Sequence, residues 1–155
     1  IPPSDRKDLD GKIPDILENS LKFLRLYLKE EHRIKSFKAE SYPEIPEEVF
    51  RECIVNAVAH RDYTINASIR LFIFEDRIEI RTPGKLPNTV TIENMKVSIH
   101  VPRNPVIYNL LNKMGMVTDV GSGVPRVIKI IKEKLNKEIG LNSTEAEFIL
   151  SIPRM

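Results

Sequence analysis

The sequence predicts an α+β fold, a two-layer sandwich in which helices pack on one face of a small mixed, mainly antiparallel sheet. Amphipathic helical patterns are interspersed with short β-rich segments, and two of these segments lie close enough together to form a hairpin. The 155 residues, of which 41% are hydrophobic, can bury one core without a disulfide or a metal. The lone Cys53 excludes a disulfide framework and a cysteine-rich zinc site, and it agrees with a reducing, cytoplasmic setting.

The charge and hydropathy patterns argue against a protein that binds nucleic acid directly and against a membrane-spanning protein. With 24 basic residues against 22 acidic ones, the net charge of +2 is too small and too dispersed for direct nucleic-acid binding. No apolar run approaches the roughly 18 residues that suggest a membrane span, and the N-terminus carries no secretory signal. Because the chain begins at Ile1 rather than Met, we expect it to be a fragment of a longer protein.

Residues 1–45 are predicted to pack on the core as a linker, a helix and a candidate edge strand. Residues 1–11 are polar and contain Pro and Gly, which is typical of a linker. Apolar residues spaced three and four apart predict an amphipathic helix over Ile13–Leu28. Residues 33–38 alternate weakly between polar and apolar side chains, so they form the candidate edge strand.

Residues 46–155 are predicted to form the core itself. Pro46 and the glutamates after it suit the first turn of a helix that runs to about His60. Asn104, followed by a proline, is the predicted N-cap of a later helix. The periodicity and the turn residues predict the other elements, namely strands over 67–74, 77–81 and 147–152, a Pro/Gly loop over 82–91, and helices over 105–115 and 124–137.

The helix that ends near His60 carries a narrow polar stripe on an otherwise apolar surface. Glu52, Asn56 and His60 are spaced at i, i+4 and i+8 and share one side. A carboxylate among apolar neighbours must be paired or line a wet pocket. Glu52 and Asn56 either satisfy each other or a nearby loop, or they face a ligand, as a base for water and an oxygen ligand for Mg²⁺. For His60, the favoured interpretation is a cationic side chain that interacts with the negative, C-terminal end of the helix dipole.

Two glycine-containing segments are further candidates for a ligand site. Gly121, Ser122 and Gly123 precede a helix, where backbone N–H groups could cradle a phosphate, although this sequence is also common in turns. The segment Thr82–Gly84 follows a strand, so its glycine either brings the backbone close to a ligand or simply ends the strand. Arg103 is interpreted as a surface residue, and the alternative is that it reaches an anion.

Four segments in this order resemble a divergent branch of the histidine-kinase-like ATPases, the superfamily of DNA gyrase, sensor histidine kinases and MutL. They are FRECIVNAVAHRDY (50–63), FEDRIEIRTPGKLP (74–87), PRNPVIYNLL (102–111) and MGMVTDVGSGVPRV (114–127). The branch looks like the C-terminal domain of RecG-related, helicase-like transcriptional regulators. In those proteins a Schlafen-type AlbA domain usually precedes this domain and a winged helix often follows it. The resemblance covers about residues 5–150.

The resemblance implies a Bergerat-type sandwich that binds ATP and Mg²⁺ and could hydrolyse ATP. Glu52 matches the residue that polarises the attacking water in the superfamily, and Asn56 matches the Mg²⁺ ligand. Gly121 and Gly123, which flank Ser122, match the glycine box that binds the phosphates. The implied function is that of an ATP- and Mg²⁺-binding module in a DNA-associated regulator, which contacts DNA through other domains. A homodimer is the candidate assembly.

The sequence departs from the superfamily at the motif that binds adenine. Thr82 stands where the superfamily has an Asp that accepts a hydrogen bond from the adenine amino group, while Gly84 matches the glycine that follows. Lys85 and Leu86 lie where a second glycine is expected. The departure supports an alternative function, a dimerisation or protein-interaction scaffold that no longer binds nucleotide. The helix Ile13–Leu28 is a candidate surface for such interactions, although burial in the domain's own core is favoured.

Overall fold

The computed structural model describes residues 2–35, 37–86, 91–96, 103–115 and 123–155. Their elements are β1 (Asp5–Leu9), α1 (Ile13–Arg25), β2 (Glu30–Lys35), β3 (Lys38–Pro43), α2 (Glu47–His60), β4 (Ile69–Ile73), β5 (Arg77–Pro83), α3 (Ile92–Lys96), α4 (Pro105–Lys113), α5 (Gly123–Leu135), β6 (Gly140–Ser143) and β7 (Glu147–Pro153). Within these ranges, no helix is both long enough and apolar enough to cross a membrane.

The main sheet has five strands in the order β1-β4-β5-β7-β6, and β2 and β3 form a separate two-stranded hairpin. Helices cover one face of the main sheet, so the predicted α+β two-layer fold is confirmed. The sequence allowed a mixed sheet, whereas every pairing among the described strands is antiparallel. Short connections such as the β4–β5 hairpin favour antiparallel neighbours, because a parallel pair needs a long crossover.

Strand β5 lies at the centre of the sheet, and its successive side chains point alternately to the two faces of the sheet. Ile78, Ile80 and Thr82 are buried on the helix-covered face. The intervening residues face outward, where the Glu79 carboxylate accepts hydrogen bonds from the guanidinium of Arg81 at 2.6 and 3.0 Å. The inner face therefore supplies the core, and the outer face carries ion pairs.

Helix α2 is the central helix of the second layer. It contacts α1, α4, α5 and β5, and Phe50 and Ile54 are fully buried. Helix α1 contributes Leu21 and Leu24 to the same hydrophobic cluster. The apolar face of α1 therefore packs into the domain's own core, as the favoured interpretation of that helix predicted.

The structure corrects three expectations about strands. Residues 1–11 are not only a linker, because β1 pairs with β4 at the edge of the main sheet. Its single buried residue is Leu9, so the polar edge strand has no apolar alternation to detect. The candidate strand over 33–38 is not a single strand, because residues 33–35 belong to β2 and Lys38 begins β3. The sequence also missed β6, whose Gly, Asn and Ser have low β-propensity.

A buried ion pair fastens the C-terminus to the rest of the fold. Glu44 is 0% exposed and Arg154 is 7% exposed, and Arg154 Nε donates to Glu44 Oε1 at 2.9 Å. The same guanidinium donates to the carbonyl oxygens of Phe74 at 3.0 Å and Tyr27 at 2.7 Å. One side chain therefore joins the end of the chain to β4, to the end of α1 and to the segment before α2.

The thiol of Cys53 should be unreactive in the folded protein. Cys53 is buried on α2, and burial, with a contribution from the neighbouring Glu52 carboxylate, raises the pKa of the thiol above its ordinary value. Because the thiolate is the reactive form, we expect no reaction with an aromatic disulfide reagent at pH 8 and complete reaction in denaturant. Rapid stoichiometric labelling of the native protein would contradict this burial.

Candidate functional site

The polar stripe predicted on α2 is present and lies in a largely buried helix. Asn56 is 9% exposed and His60 is 6% exposed, while Glu52 is half-buried. Glu52 and His60 are two turns apart, so the stripe extends about 12 Å along the helix axis. The two ends of the stripe therefore have different neighbouring residues.

At the Glu52 end, the stripe meets the first residue of α5. A Cβ placed on Gly123 would lie 3.1 Å from Glu52 Oε2, so the carboxylate is packed against the glycine. The N-terminus of a helix favours negative charge, and this position suits a carboxylate. Nearby, Arg126 Nη2 of α5 forms an ion pair with Glu48 Oε2 of α2 at 2.9 Å. The structure thus brings Glu52 and Gly123 together, whereas Gly121 and Ser122 lie outside the described residues.

Beyond the His60 end, the stripe is followed by a close contact between Asp62 and Gly84. Gly84 has a φ of +100°, and a Cβ there would lie 2.6 Å from the Cβ of Asp62. The backbone is fixed on both sides, because Asp62 N donates to Pro83 O at 3.0 Å and Gly84 N donates to Ala146 O at 2.8 Å. Gly84 is therefore required for the close approach of two chain segments.

Arg103 is a bridging residue and not the surface residue that the sequence suggested. Its Nε donates to His60 O at 3.2 Å, its Nη1 donates to Asp62 Oδ2 at 3.2 Å, and its Nη2 donates to Lys85 O. It joins the C-terminus of α2 to the segment that follows β5. A positive charge beside the carbonyls that end a helix is favoured.

Asn104 also binds the end of α2. It occupies the N-cap position of α4 as predicted, but its side chain makes no cap hydrogen bond. Instead Asn104 Nδ2 donates to Ala59 O at 3.0 Å and to Arg61 O at 2.7 Å. The side-chain amide of Asn104 thus donates to carbonyl oxygens at the end of α2 that have no partner within their own helix. It binds these carbonyls instead of capping α4.

Asp62 lines a cavity of about 320 Å³. The hydroxyl and the backbone amide of Thr64, together with the Arg103 guanidinium, hold the pKa of the Asp62 carboxyl below its ordinary value. Asp62 is therefore ionised at neutral pH. The cavity is lined by Asp62, Ile65, Gly84, Lys85, Leu86, Arg103 and Glu145.

Thr82 lies deeper than the residues around this cavity. It is 3% exposed and sits opposite Phe148 in the β5–β7 pairing, on the face of β5 that the helices cover. Gly84, two residues after Thr82, is one of the residues that line the cavity. Thr82 lies on β5, two residues before this glycine, and does not itself line the cavity.

The side chains of the stripe are compatible with Mg²⁺ bound together with a phosphate. In the described ranges, no group of three or more His, Cys, Asp or Glu side chains could hold a metal alone. Glu52 and Asn56 nevertheless offer oxygen atoms one helical turn apart. Mg²⁺ typically uses one or two such protein ligands together with waters and substrate phosphates. Gly123 begins α5 beside Glu52, and the N-terminus of a helix is a position that favours such an anion.

A comparison with known families gives the class of protein to which this two-layer α+β fold belongs. A family model described as "Putative ATP-dependent DNA helicase recG C-terminal" matches residues 66–152. Because this match covers more than half of the chain, the protein belongs to that family and is a RecG-related, ATPase-like C-terminal domain. The match includes Thr82, Gly84 and Gly123 but begins after α2, so Glu52 and Asn56 lie outside it.

The fold also matches a solved structure. The crystal structure of the DIP2311 protein from Corynebacterium diphtheriae is similar with a TM-score of 0.78 and 23% sequence identity. The similarity covers 90% of this chain and 29% of that one, so the chain spans less than a third of its structural relative. At this identity the likeness concerns the fold alone. No curated protein matches the sequence.

Proposed function

We propose that this chain is the ATP- and Mg²⁺-binding module of a DNA-associated transcriptional regulator and a weak ATPase. The observation that carries the proposal is the contact between Glu52 and Gly123. It places the polar stripe of α2 against the N-terminus of α5, and a helix N-terminus that begins with glycine is suited to phosphate. The family membership of residues 66–152 supports the same class of ligand.

Each site residue has a distinct role in this proposal. Asn56 would hold Mg²⁺ through its amide oxygen, and the bound cation would supply charge for the phosphate oxygens. Glu52 would accept a proton from water, a role that needs an ionised carboxylate within hydrogen-bond reach. Gly123 would admit the phosphates, and Thr82 and Gly84 would lie near the base. Gly121 and Ser122 remain predicted phosphate-binding residues.

The association with DNA is proposed to involve other domains of a longer protein. The near-balanced charge of this chain, +2 overall, does not favour a large phosphate-binding surface of its own. The family description names a DNA helicase, which supports a connection with DNA without assigning the contact to these residues. We likewise propose that the protein is cytoplasmic and that it forms a homodimer.

A calorimetric titration with ATP and Mg²⁺, with GTP as the competitor control, tests the proposal. We expect saturable binding that prefers ATP, and we expect Asn56→Ala to weaken Mg²⁺-dependent binding about tenfold or more, which corresponds to ~1.4 kcal/mol. The matched control is Asn142→Ala, because Asn142 is exposed on β6 and should leave binding unchanged. Unchanged affinity in Asn56→Ala would remove this residue from the site.

A scaffold without nucleotide is the second candidate function, and one surface favours it. Val106, Leu110 and Met114 follow one another at i, i+4 and i+8 along α4 and its C-cap, and they are 71%, 52% and 52% exposed. Such an exposed apolar stripe is typical of an interaction site. If the wild-type protein shows no binding at millimolar ATP, the proposed nucleotide module is refuted and this surface becomes the feature to explain.

A further inference from the structure

The hairpin formed by β2 and β3 extends from the domain on an anchored base. Its strands form a sheet of their own, and each packs chiefly against the other. Six residues in each strand, at about 3.4 Å per residue, give a length of roughly 17 Å. At the base, Glu44 N donates to Lys29 O and Lys134 Nζ donates to Pro43 O, both at 2.7 Å. The tip is therefore the part of the hairpin that is farthest from these anchoring contacts.

Phe37 lies in the turn at this tip and is fully exposed. Lys35 and Lys38 form the last pair of the ladder, and Phe37 between them is 105% exposed. Tight turns favour Gly, Pro, Asn, Asp and Ser, whereas phenylalanine is normally among the side chains that a core buries. Phe37 therefore serves neither the turn nor the core, and its ring can contact an external partner.

The tip of the hairpin is cationic. Residues 33–39 include Arg33, Lys35 and Lys38 and contain no acidic residue. The register sets Arg33 opposite Glu40, but it sets Lys35 opposite Lys38. Like charges at directly opposite positions destabilise a β-ladder, and an anion bound at the tip would relieve this repulsion. The tip therefore favours a partner that carries negative charge.

A single strand of nucleic acid combines both features that this tip can bind. Its phosphates are anionic, and its bases have open faces on which an aromatic side chain stacks. In a duplex, neighbouring base pairs cover both faces of every internal base, so the ring has no face to stack on. An anionic membrane also carries negative charge, but a single ring offers little apolar area for insertion among lipids. The proposed function also associates this protein with DNA.

We propose that the β2–β3 hairpin binds single-stranded DNA, with Phe37 stacked on an unpaired base and Lys38 contacting a neighbouring phosphate. The inference rests on the proposed association with DNA, but it needs no bound ATP, because Glu52 and Asn56 lie on another element, α2. It adds one local contact to those of other domains, so it does not require a large basic surface on this chain.

The first test uses the absence of tryptophan from the sequence. Phe37→Trp introduces one indole, at the tip, and stacking on a base quenches indole fluorescence. We expect an oligothymidylate to quench this variant in a saturable manner at physiological ionic strength. A duplex of the same length should bind at least about fivefold more weakly, which is the lower limit for the contribution of one stacked base.

Variants with matched controls separate stacking from charge, with a labelled oligothymidylate followed by fluorescence anisotropy. Phe37→Ala should weaken binding at least about fivefold, whereas Leu26→Ala, at another exposed apolar residue, should not. Lys38→Gln should make the slope of log affinity against log salt shallower by about 0.7, the value for one phosphate contact on a single strand. Lys22→Gln, whose lysine is paired with Glu18, should leave that slope unchanged.

Two further measurements assign the effect to the tip. The urea unfolding midpoint of Phe37→Ala should equal that of the wild type, because the ring that it removes is fully exposed. Calorimetry with ATP and Mg²⁺ should give the wild-type affinity for Phe37→Ala. The nucleotide module and the DNA contact are thus measured separately, and either one can fail without the other.

Four results would overturn the inference. Equal affinities of the wild type and Phe37→Ala for the single strand would exclude a stacked ring. Equal affinities for the duplex and the single strand would show that charge alone holds DNA. No binding of oligothymidylate by the wild type at millimolar protein would exclude the contact and leave the nucleotide module standing. A blue shift of Phe37→Trp fluorescence with phosphatidylserine vesicles, without quenching by DNA, would assign the tip to an anionic membrane.

Discussion

Replacing Arg154 with Met is expected to destabilise the protein by about 3–5 kcal/mol, which is the cost of removing one partner of a buried ion pair. Glu44 is 0% exposed and would be left in an apolar setting without its cationic partner. Its remaining partners are neutral, because Lys29 N donates to Oε1 at 3.2 Å and Met155 N donates to Oε2 at 3.3 Å. The midpoint of urea unfolding, followed by circular dichroism, measures the effect.

Burial is the reason for a large effect at this pair, and a surface pair serves as the control. Lys132 Nζ lies 3.2 Å from Glu138 Oε1, but the two side chains are 53% and 71% exposed. Exposed pairs contribute roughly 0–1 kcal/mol, so Lys132→Met should shift the midpoint little. An Arg154→Met effect as small as that of Lys132→Met would mean that water reaches Glu44.

A double variant separates the uncompensated charge from the lost packing. In Glu44→Leu/Arg154→Met both charges are gone, and replacing a buried ion pair with apolar side chains is often neutral or stabilising. We therefore expect the double variant to recover part of the stability that Arg154→Met loses. Recovery is expected to be incomplete, since the carbonyl oxygens of Phe74 and Tyr27 lose the Arg154 donor.

The central helix was predictable because burial leaves a clear pattern in sequence. Residues 49–60 are apolar on most sides, and the buried helix α2 carries Asn56 and His60 on the predicted stripe. The hairpin β4–β5 was predictable for a similar reason, since β-rich segments flank a short polar turn at Glu75 and Asp76. In contrast, β1 was missed because it has four polar residues and one buried apolar residue, Leu9, and therefore shows no apolar period.

The candidate site was only partly predictable, because its contacts join distant segments. The order of the motifs suggested that Glu52 and Gly123 belong to one site, and the structure places them in contact. Arg103 was expected at the surface, whereas it binds the Asp62 carboxylate and two backbone carbonyl oxygens. Because every residue has a backbone carbonyl oxygen, the sequence does not indicate which ones will accept from Arg103. Asp62 does carry a local signal, since an Asp two residues before a Thr is typical of an Asx turn, but that signal does not reveal the cavity.

Substituting Gly84 with Ala should destabilise the protein more than the same change at Gly11. Gly84 and Gly11 have φ values of +100° and +99°, so both variants carry a similar backbone strain of about 1–2 kcal/mol. At Gly84 the added Cβ would lie 2.6 Å from Asp62 Cβ, whereas nothing lies within 4 Å of it at Gly11. Overpacking of this kind costs about 1–3 kcal/mol, and this is the expected difference between the two unfolding free energies.

The measurement that checks this prediction is urea unfolding of both variants. The backbone on both sides of the contact is hydrogen-bonded, so relief of the clash has to displace one of the two chain segments. Because Gly11→Ala carries a similar backbone strain without the contact, equal unfolding free energies in the two variants would show that the distance between Gly84 and Asp62 does not constrain the fold.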